Sequence, residues 1–179
     1  MKKFVIKKRD IFLSVAVILV VTLLIGLKDQ QAGEPVAPTQ EQSQDMGKEP
    51  WVLNVETATV ANNYYRYAAW TGGNLQMTLM SLQPGEIIDM EIHEVGDQFI
   101  RLEQGQARVR MGKTKDNMTF DREVSDDWAI FIPSGYWHQI DNIGDEVLKV
   151  YVIYAPAEHA AGTIHEDYEE AQREHHHDH

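Results

Sequence analysis

The strongest constraint on the fold is a series of short segments with strand-type alternation between residues 51 and 154. Polar and apolar side chains alternate at residues 75–79, 98–102 and 107–111, whereas residues 128–132 and 147–154 are apolar on both faces. Glycine, proline, asparagine and aspartate residues lie between these segments. Many short strands at regular spacing predict an all-β sandwich or barrel.

The N-terminal 27 residues have a different character. Residues 1–10 carry five lysine or arginine residues and one aspartate, and residues 11–27 are 17 uncharged residues without proline. This length is at the short end of what spans a bilayer as a helix, and the basic flank favours a cytoplasmic N-terminus. We therefore expect a signal-anchor over 1–27, single-pass in the cytoplasmic membrane, with the C-terminal part outside. Secretion after cleavage of a signal peptide is the alternative.

Composition divides the rest of the chain. Residues 28–50 are rich in Gln, Glu and Pro with few large apolar side chains, which predicts a disordered linker. A β-domain is expected over 51–165 and an acidic, His-rich tail over 166–179. The formal net charge of −12 repels phosphate backbones, so nucleic acid is not an expected partner. The absence of cysteine excludes disulfides and thiolate metal sites.

Four residues within the β-domain suggest a metal site. Glu91 and His93 are two positions apart, so their side chains share one face of a strand. Gln98 begins the next alternating segment on its apolar face, and His138 follows a Pro-x-Gly turn. Two neutral imidazoles, one carboxylate and one amide oxygen form a plausible mixed nitrogen and oxygen ligand set.

The segment from Gly85 to Gly105 resembles the first motif of the cupin superfamily. That motif reads G, five residues, H-x-H, three or four residues, E, six residues, G. His93 matches its second histidine. Glu91 stands at the position of the first histidine and Gln98 at that of the glutamate. The two departures amount to an exchange of the carboxylate position, so one anionic ligand is kept.

The segment from Asp127 to Asn142 resembles the second cupin motif. The matching positions are Pro133, Gly135, His138 and Asn142. Asp127 stands where the motif opens with glycine, which concerns a turn. The chain is most similar to small bacterial cupins of the mannose-6-phosphate-isomerase-like kind.

The resemblance implies a double-stranded β-helix, the cupin or jelly-roll barrel, here preceded by one N-terminal transmembrane helix. It also implies one divalent metal ion, Fe, Mn, Ni or Zn, held by Glu91, His93, Gln98 and His138. A small molecule is the expected ligand, and exposed strand edges would allow a homodimer.

Three functions stay open at this point. The first is a metal-dependent isomerase, lyase or oxygenase acting on a sugar or small polar metabolite, in which the metal is a Lewis acid. The second is a non-catalytic ligand-binding module, and the third is a metal-handling protein that uses its His-rich tail. His159 and His165 either cap the barrel mouth or lie on the surface. Trp70, Tyr136 and Trp137 either line a pocket there or serve in packing.

Overall fold

The computed structural model describes residues 44–175, which form ten β-strands and two short α-helices. The strands are β1 (Arg66–Thr71), β2 (Gln76–Leu82), β3 (Ile87–Ile92), β4 (Asp97–Gln104), β5 (Gln106–Gly112), β6 (Phe120–Ser125), β7 (Ala129–Ile132), β8 (Trp137–Asn142), β9 (Leu148–Ala155) and β10 (Ile164–His165). The helices are α1 (Val55–Ala61) and α2 (Tyr168–His175). Helix α1 begins where the Asn54 side chain accepts a hydrogen bond from the Thr57 amide at 3.0 Å, because this cap satisfies an amide that the helix leaves free.

The strands form two antiparallel sheets. The six-stranded sheet has the order β10-β1-β2-β9-β4-β7, and the four-stranded sheet has the order β3-β8-β5-β6. One cluster of buried apolar side chains joins their inner faces, with Ile100 and Val150 from the larger sheet and Val109 and Ile140 from the smaller one. The predicted all-β jelly roll is confirmed by this arrangement.

The outer face of the six-stranded sheet is covered as well. A second apolar cluster includes Tyr67, Met77 and Leu79 from the sheet, and Val55 and Ala58 of α1 pack against it. Every residue of β2 is consequently buried. A strand that is covered on both faces needs apolar side chains on both faces.

Polar side chains collect at one end of the inner faces. Gln98 on β4 and Gln76 on β2 are both register partners of Tyr154 on β9, so the three residues lie side by side across the larger sheet. His138 on β8 belongs to the opposite sheet and is fully buried. Since buried polar groups require partners, this end of the barrel is the candidate functional site.

Residues 44–50, which precede Trp51, contact the strands of the barrel. Asp45 accepts hydrogen bonds from the Thr71 amide at 2.9 Å and hydroxyl at 2.6 Å, and from the amides of Gly47 and Gly162 at 2.9 Å each. Met46 donates its amide to the Ala69 carbonyl. Residues 44–50 therefore lie on the barrel, held mainly by polar contacts that apolar content does not reveal.

Helix α2, near the end of the described residues, also contacts the barrel. Helix α2 inserts Ala171, 6% exposed, into the main core. Its Tyr168 and Gln172 side chains both donate hydrogen bonds to the Asp89 carboxylate on β3. Residues 166–175 are thus part of the barrel, and they close one side of its polar end.

The transmembrane component of the predicted fold requires a correction. Across residues 44–175, neither helix has the length or the apolar character to cross a membrane. They contain 7 and 8 residues, whereas a helical span needs about 20. The segment 11–27, on which we placed the transmembrane helix, lies outside the described residues.

Candidate metal centre

A bulge in β3 turns Glu91 toward the barrel interior. Ile88 pairs with Ile140, and Glu91 pairs with His138. Two residues of β3 lie between these pairs but only one residue of β8, so β3 contains one extra residue. Regular alternation from the buried Ile88 would have directed Glu91 outward. The extra residue reverses the alternation, and Glu91 Oε1 lies 3.2 Å from His138 Nε2.

His93 completes a cluster of three ligand-type side chains. It follows β3 directly, and its carbonyl accepts a hydrogen bond from the Gly135 amide at 2.8 Å in the Pro-x-Gly turn before β8. His93 Nε2 lies 3.4 Å from Glu91 Oε1, and its ring centroid is 5.2 Å from that of His138. One ligand atom from each residue lies within 4.8 Å of the others.

The tautomer of His138 follows from its contacts. Its Nδ1 is 3.1 Å from the Tyr136 carbonyl oxygen, so Nδ1 carries the proton and donates it. In the neutral ring, Nε2 then directs a lone pair at Glu91 Oε1. Two acceptors at 3.2 Å repel each other unless a proton or a metal cation lies between them.

Glu158 is a functional candidate that the sequence interpretation missed. Its Oε2 lies 3.2 Å from His93 Nδ1, on the side of the ring away from Glu91. A carboxylate at the far nitrogen of a ligating histidine orients the ring and makes it a stronger ligand. Glu158 lies in the segment 154–159. The position of this segment in the sequence did not predict that the carboxylate contacts His93.

The charges of the cluster are strongly coupled. Burial alone would raise the pKa of Glu91, but the imidazoles of His138 and His93, which stabilise the carboxylate when they direct a proton toward it, hold that pKa well below its ordinary value of 4.5. Burial would lower the pKa of His93, but the carboxylates of Glu158 and Glu91 raise it to about 9. Without a metal, the cluster therefore holds its carboxylate ionised and a proton on His93.

Gln98 approaches from the opposite sheet. It is 2% exposed, and neither polar atom of its amide makes a hydrogen bond of ordinary geometry. Burial is the dominant effect on the Tyr154 hydroxyl and raises its pKa. The Gln98 amide is close enough to that hydroxyl to act in the opposite direction. Tyr154 in turn packs edge-on against His93, with ring centroids 5.7 Å apart. Gln98 thus offers a buried amide beside Tyr154, on the sheet opposite Glu91 and His138.

A cavity of about 270 Å³ opens beside Glu91. Its walls come from the start of β1, the bulge of β3, the segment after β9, and α2. The lining residues are Tyr65, Arg66, Asp89, Glu91, Glu158, His159, His165, Ala171, Gln172 and Glu174. Because Glu91 belongs both to this wall and to the cluster, a molecule in the cavity lies next to the candidate metal position.

His159 and His165 both face this cavity, so their interpretation as surface residues is wrong. Burial and the nearby Arg66 lower the pKa of His159 to about 3, which keeps its ring neutral. Tyr136, Trp137 and Trp70 do not line the cavity.

The remaining positions of the two motifs serve the backbone. Asp127 has a φ of 70°, a conformation that glycine adopts freely and that aspartate tolerates better than most residues. The Asn142 amide donates to the carbonyls of Leu82 and Glu146, and its oxygen accepts from the Gly144 amide. Asn142 therefore shapes the turn before β9 and is not directed at the metal position.

The residues fit a divalent metal. Both ring nitrogens of His93 lack a hydrogen bond of ordinary geometry although the side chain is 8% exposed. The lone pair of His138 and the Glu91 carboxylate point at one another. Two imidazoles and one carboxylate are a set that Fe, Mn, Ni and Zn all accept.

A family model for the cupin domain matches residues 78–154. YrkC, an uncharacterized protein of Bacillus subtilis, is 52% identical over 122 residues, which are 68% of this chain and 66% of that protein. L612 of Acanthamoeba polyphaga mimivirus, also uncharacterized, is 44% identical over 115 residues, 64% of this chain and 70% of that protein. The chain spans about two thirds of the length of these curated relatives.

The crystal structure of BH2720 from Bacillus halodurans is similar to the chain, with a TM-score of 0.72 and 49% sequence identity. The match covers 73% of this chain and 98% of that one. None of these names states an activity, so the mannose-6-phosphate-isomerase-like subtype stays a prediction.

Proposed function

Because the chain belongs to the cupin superfamily, we propose that its barrel binds one divalent metal ion through Glu91, His93 and His138. The ion faces the adjoining cavity, where a small polar ligand binds. The observation that carries the proposal is the convergence of a carboxylate with two imidazoles around one point, with one ligand atom from each within 4.8 Å of the others.

The chain's own residues have distinct roles in this proposal. The Tyr136 carbonyl holds the proton of His138 on Nδ1, and Glu158 lies within reach of the corresponding proton of His93. Both contacts leave the Nε2 atoms free to act as ligands. Gln98 contributes as a weak fourth ligand or as a hydrogen-bonding group for the ligand, because a neutral amide oxygen is the weakest donor of the set.

A bound divalent cation would supply Lewis-acid polarisation of a ligand oxygen. Isomerase, lyase and oxygenase chemistry are the reaction classes that this centre would support. A non-catalytic binding module would use the same ligands and the same cavity. The metal centre is common to these functions and is therefore the part to test first.

Metal stoichiometry tests the proposal. We suggest the full-length chain with His175, His176, His177 and His179 replaced by Gln, so that the tail contributes no imidazole. After chelation, the protein is titrated anaerobically with Fe²⁺, Mn²⁺, Ni²⁺ and Zn²⁺ and analysed by mass spectrometry of the metal. We expect about one equivalent of at least one metal. Less than about a tenth of an equivalent of each would refute the centre.

Single substitutions in this background locate the ion. Glu91→Gln and His138→Ala should each weaken binding on the order of a hundredfold or more, since even the loss of an outer partner costs about 10- to 100-fold. Gln98→Ala should have a smaller effect. Asp121→Asn is the matched control, because Asp121 is an exposed carboxylate on β6 that pairs with Arg108. Equal losses in Asp121→Asn and Glu91→Gln would mean that the metal binds unspecifically to acidic surface.

A further inference from the structure

The cavity beside the metal position contains a buried guanidinium without a carboxylate partner. Arg66 is 8% exposed, and its Nε has no hydrogen-bond partner. Its Nη1 lies 3.3 Å from His165 Nδ1, and its guanidinium carbon is 5.5 Å from the centroid of the Tyr65 ring. Within residues 44–175, no carboxylate lies at ion-pair distance from this side chain. A buried cation in this state is costly unless an anion joins it.

The guanidinium is held in position by neighbouring residues. Arg66 on β1 is the register partner of His165 on β10. His165 Nε2 lies 2.7 Å from Glu174 Oε2 on α2, so it donates its proton there and leaves Nδ1 as the acceptor for Arg66. Glu174 is therefore engaged by His165 and does not neutralise the arginine.

The other carboxylates of the cavity are engaged too. Glu91 contacts the two imidazoles of the metal cluster, and Glu158 contacts the far nitrogen of His93. Asp89 accepts hydrogen bonds from Tyr168 and Gln172 of α2. Of the described residues that line the cavity, Arg66 is the sole lysine or arginine.

We propose that Arg66 binds the carboxylate of a small organic anion whose second oxygen function reaches the metal. This inference rests on the proposed function, because the metal position borders the same cavity. A guanidinium presents a planar fork of donors that matches a carboxylate. The cavity of about 270 Å³ is lined by both Arg66 and Glu91, so a ligand that fills it borders both side chains.

A monocarboxylate suits the cavity better than a phosphate ester. The walls also present Asp89, Glu158 and Glu174, and these carboxylates repel a dianion more strongly than a monoanion. A single guanidinium compensates one negative charge. The ligand class is therefore a small hydroxy- or keto-monocarboxylate.

Calorimetric titration of the metal-loaded full-length chain, with the tail substitutions described above, tests the subsite. The probes are acetate, lactate and pyruvate, their uncharged amides, and inorganic phosphate. We expect at least one carboxylate to bind about tenfold or more tightly than its amide, because a charge-assisted pair is lost in the amide. Arg66→Gln should remove this preference while retaining the metal. Arg108→Gln is the matched control, since Arg108 is exposed on β5, and it should keep the preference.

Three results would overturn the inference: no preference for any carboxylate, a preference that persists in Arg66→Gln, or Arg66-dependent binding of phosphate that exceeds every carboxylate. If Arg66→Gln does not fold, Arg66→Lys decides, because it keeps the charge without the fork. Arg66→Lys should weaken carboxylate binding severalfold, and unchanged affinity counts against the subsite.

The titrations are repeated after chelation. Failure to load metal refutes the proposed centre, whereas an Arg66-dependent carboxylate preference in the metal-free protein still supports the subsite.

Discussion

The ring of His93 lies between two carboxylates, and each has a different task. Glu91 contacts Nε2 at 3.4 Å from within the barrel, and Glu158 contacts Nδ1 at 3.2 Å from the segment after β9. The Glu158 side chain is 41% exposed, whereas that of Glu91 is 14% exposed. We therefore regard Glu158 as a positioning residue that acts through the histidine and does not contact the metal.

Replacing Glu158 with Gln should weaken metal binding about tenfold, which is the lower end of the range for outer partners of metal ligands. The amide keeps the size of the side chain but removes the charge that stabilises the ligating ring. In the metal-free protein, the pKa of His93 should fall below its value of about 9. Competition with a chelator measures the affinity, and NMR titration of the His93 ring measures the pKa.

Glu169→Gln is the control for this variant, since it makes the same substitution at an exposed position of α2. It should change neither quantity. An unchanged His93 pKa in Glu158→Gln would show that the contact does not act on the ring.

At the scale of single residues, the spacing of side chains in the sequence predicted only part of the cluster. The i, i+2 spacing and the motif resemblance selected Glu91, His93 and His138, which the structure brings together; their binding of metal stays a prediction. The β3 bulge was not foreseeable, because pairing register depends on the partner strand. Arg66 and Glu158 were missed because they reach the site only through long-range packing.

Among the elements, the segment before α1 shows how few residues can anchor a chain. Asp45 accepts four hydrogen bonds, and three of them tie the segment to the end of β1 and to the turn at Gly162. Burial acts to raise the pKa of Asp45, but the bonds from Thr71, Gly47 and Gly162 together lower it. The carboxylate is therefore stabilised in its ionised form.

Asp45→Ala should lower the free energy of unfolding by about 2–3 kcal/mol, because hydrogen bonds to a charged group are worth about 1.5–3 kcal/mol and do not add fully. With a lowered folded-state pKa, this contribution is present above the ordinary value of 3.8 and is lost as the pH falls through the lowered value. Urea denaturation at neutral pH provides the measurement. Glu49→Ala, at an exposed neighbouring position, should have little effect. A loss below about 0.5 kcal/mol in Asp45→Ala would mean that the segment does not stabilise the barrel.

Alternation predicted strands, but neither helix α1 (Val55–Ala61) nor the boundaries of the elements were predictable from the sequence. The alternation at residues 98–102 and 107–111 lies within β4 and β5. The contacts of residues 44–50 with the barrel could not be predicted from apolar content, because those of Asp45 are polar. Alternation also determines which face a side chain takes without determining which strand lies beside it, so the strand order of the two sheets could not be predicted.

For the whole molecule, the two sheets concentrate apolar packing at one end and polar chemistry at the other. The core of Ile100, Leu102 and Val150 holds the sheets together, while the polar end places His138 opposite Gln98 and Tyr154. The all-β architecture followed from strand periodicity, whereas the predicted transmembrane component has no support, since no helix within residues 44–175 can cross a membrane. Global stability is linked to the state of the cluster, because only the folded barrel brings its charges together.

In the metal-free protein, the contribution of Glu91 and His93 to stability should be largest in mildly acidic solution. The pKa of His93 is raised from 6.5 to about 9, so its stabilising contribution is fully present below pH 6.5 and is lost as the pH rises toward about 9. The pKa of Glu91 is lowered from 4.5, so its contribution is present above pH 4.5 and is lost as the pH falls through the lowered value. The two contributions coincide between 4.5 and 6.5.

A divalent metal should reverse this trend with pH, because it must displace the proton that His93 holds. The gain in melting temperature on adding metal should therefore increase from about pH 6 to about pH 8.5, beyond the region where an ordinary histidine titrates. At a metal concentration about 100 times the dissociation constant, the gain is about 2.7 kcal/mol, which corresponds to roughly 5–10 °C for a chain of this size. Calorimetric melting of the chain with the tail substitutions, with and without metal, measures this gain.

Glu91→Gln should lose most of the metal gain and of its pH dependence, because the carboxylate both raises the His93 pKa and binds the ion. A gain that is constant with pH, or largest near pH 6, would show that the metal does not compete with the proton on His93 and binds elsewhere.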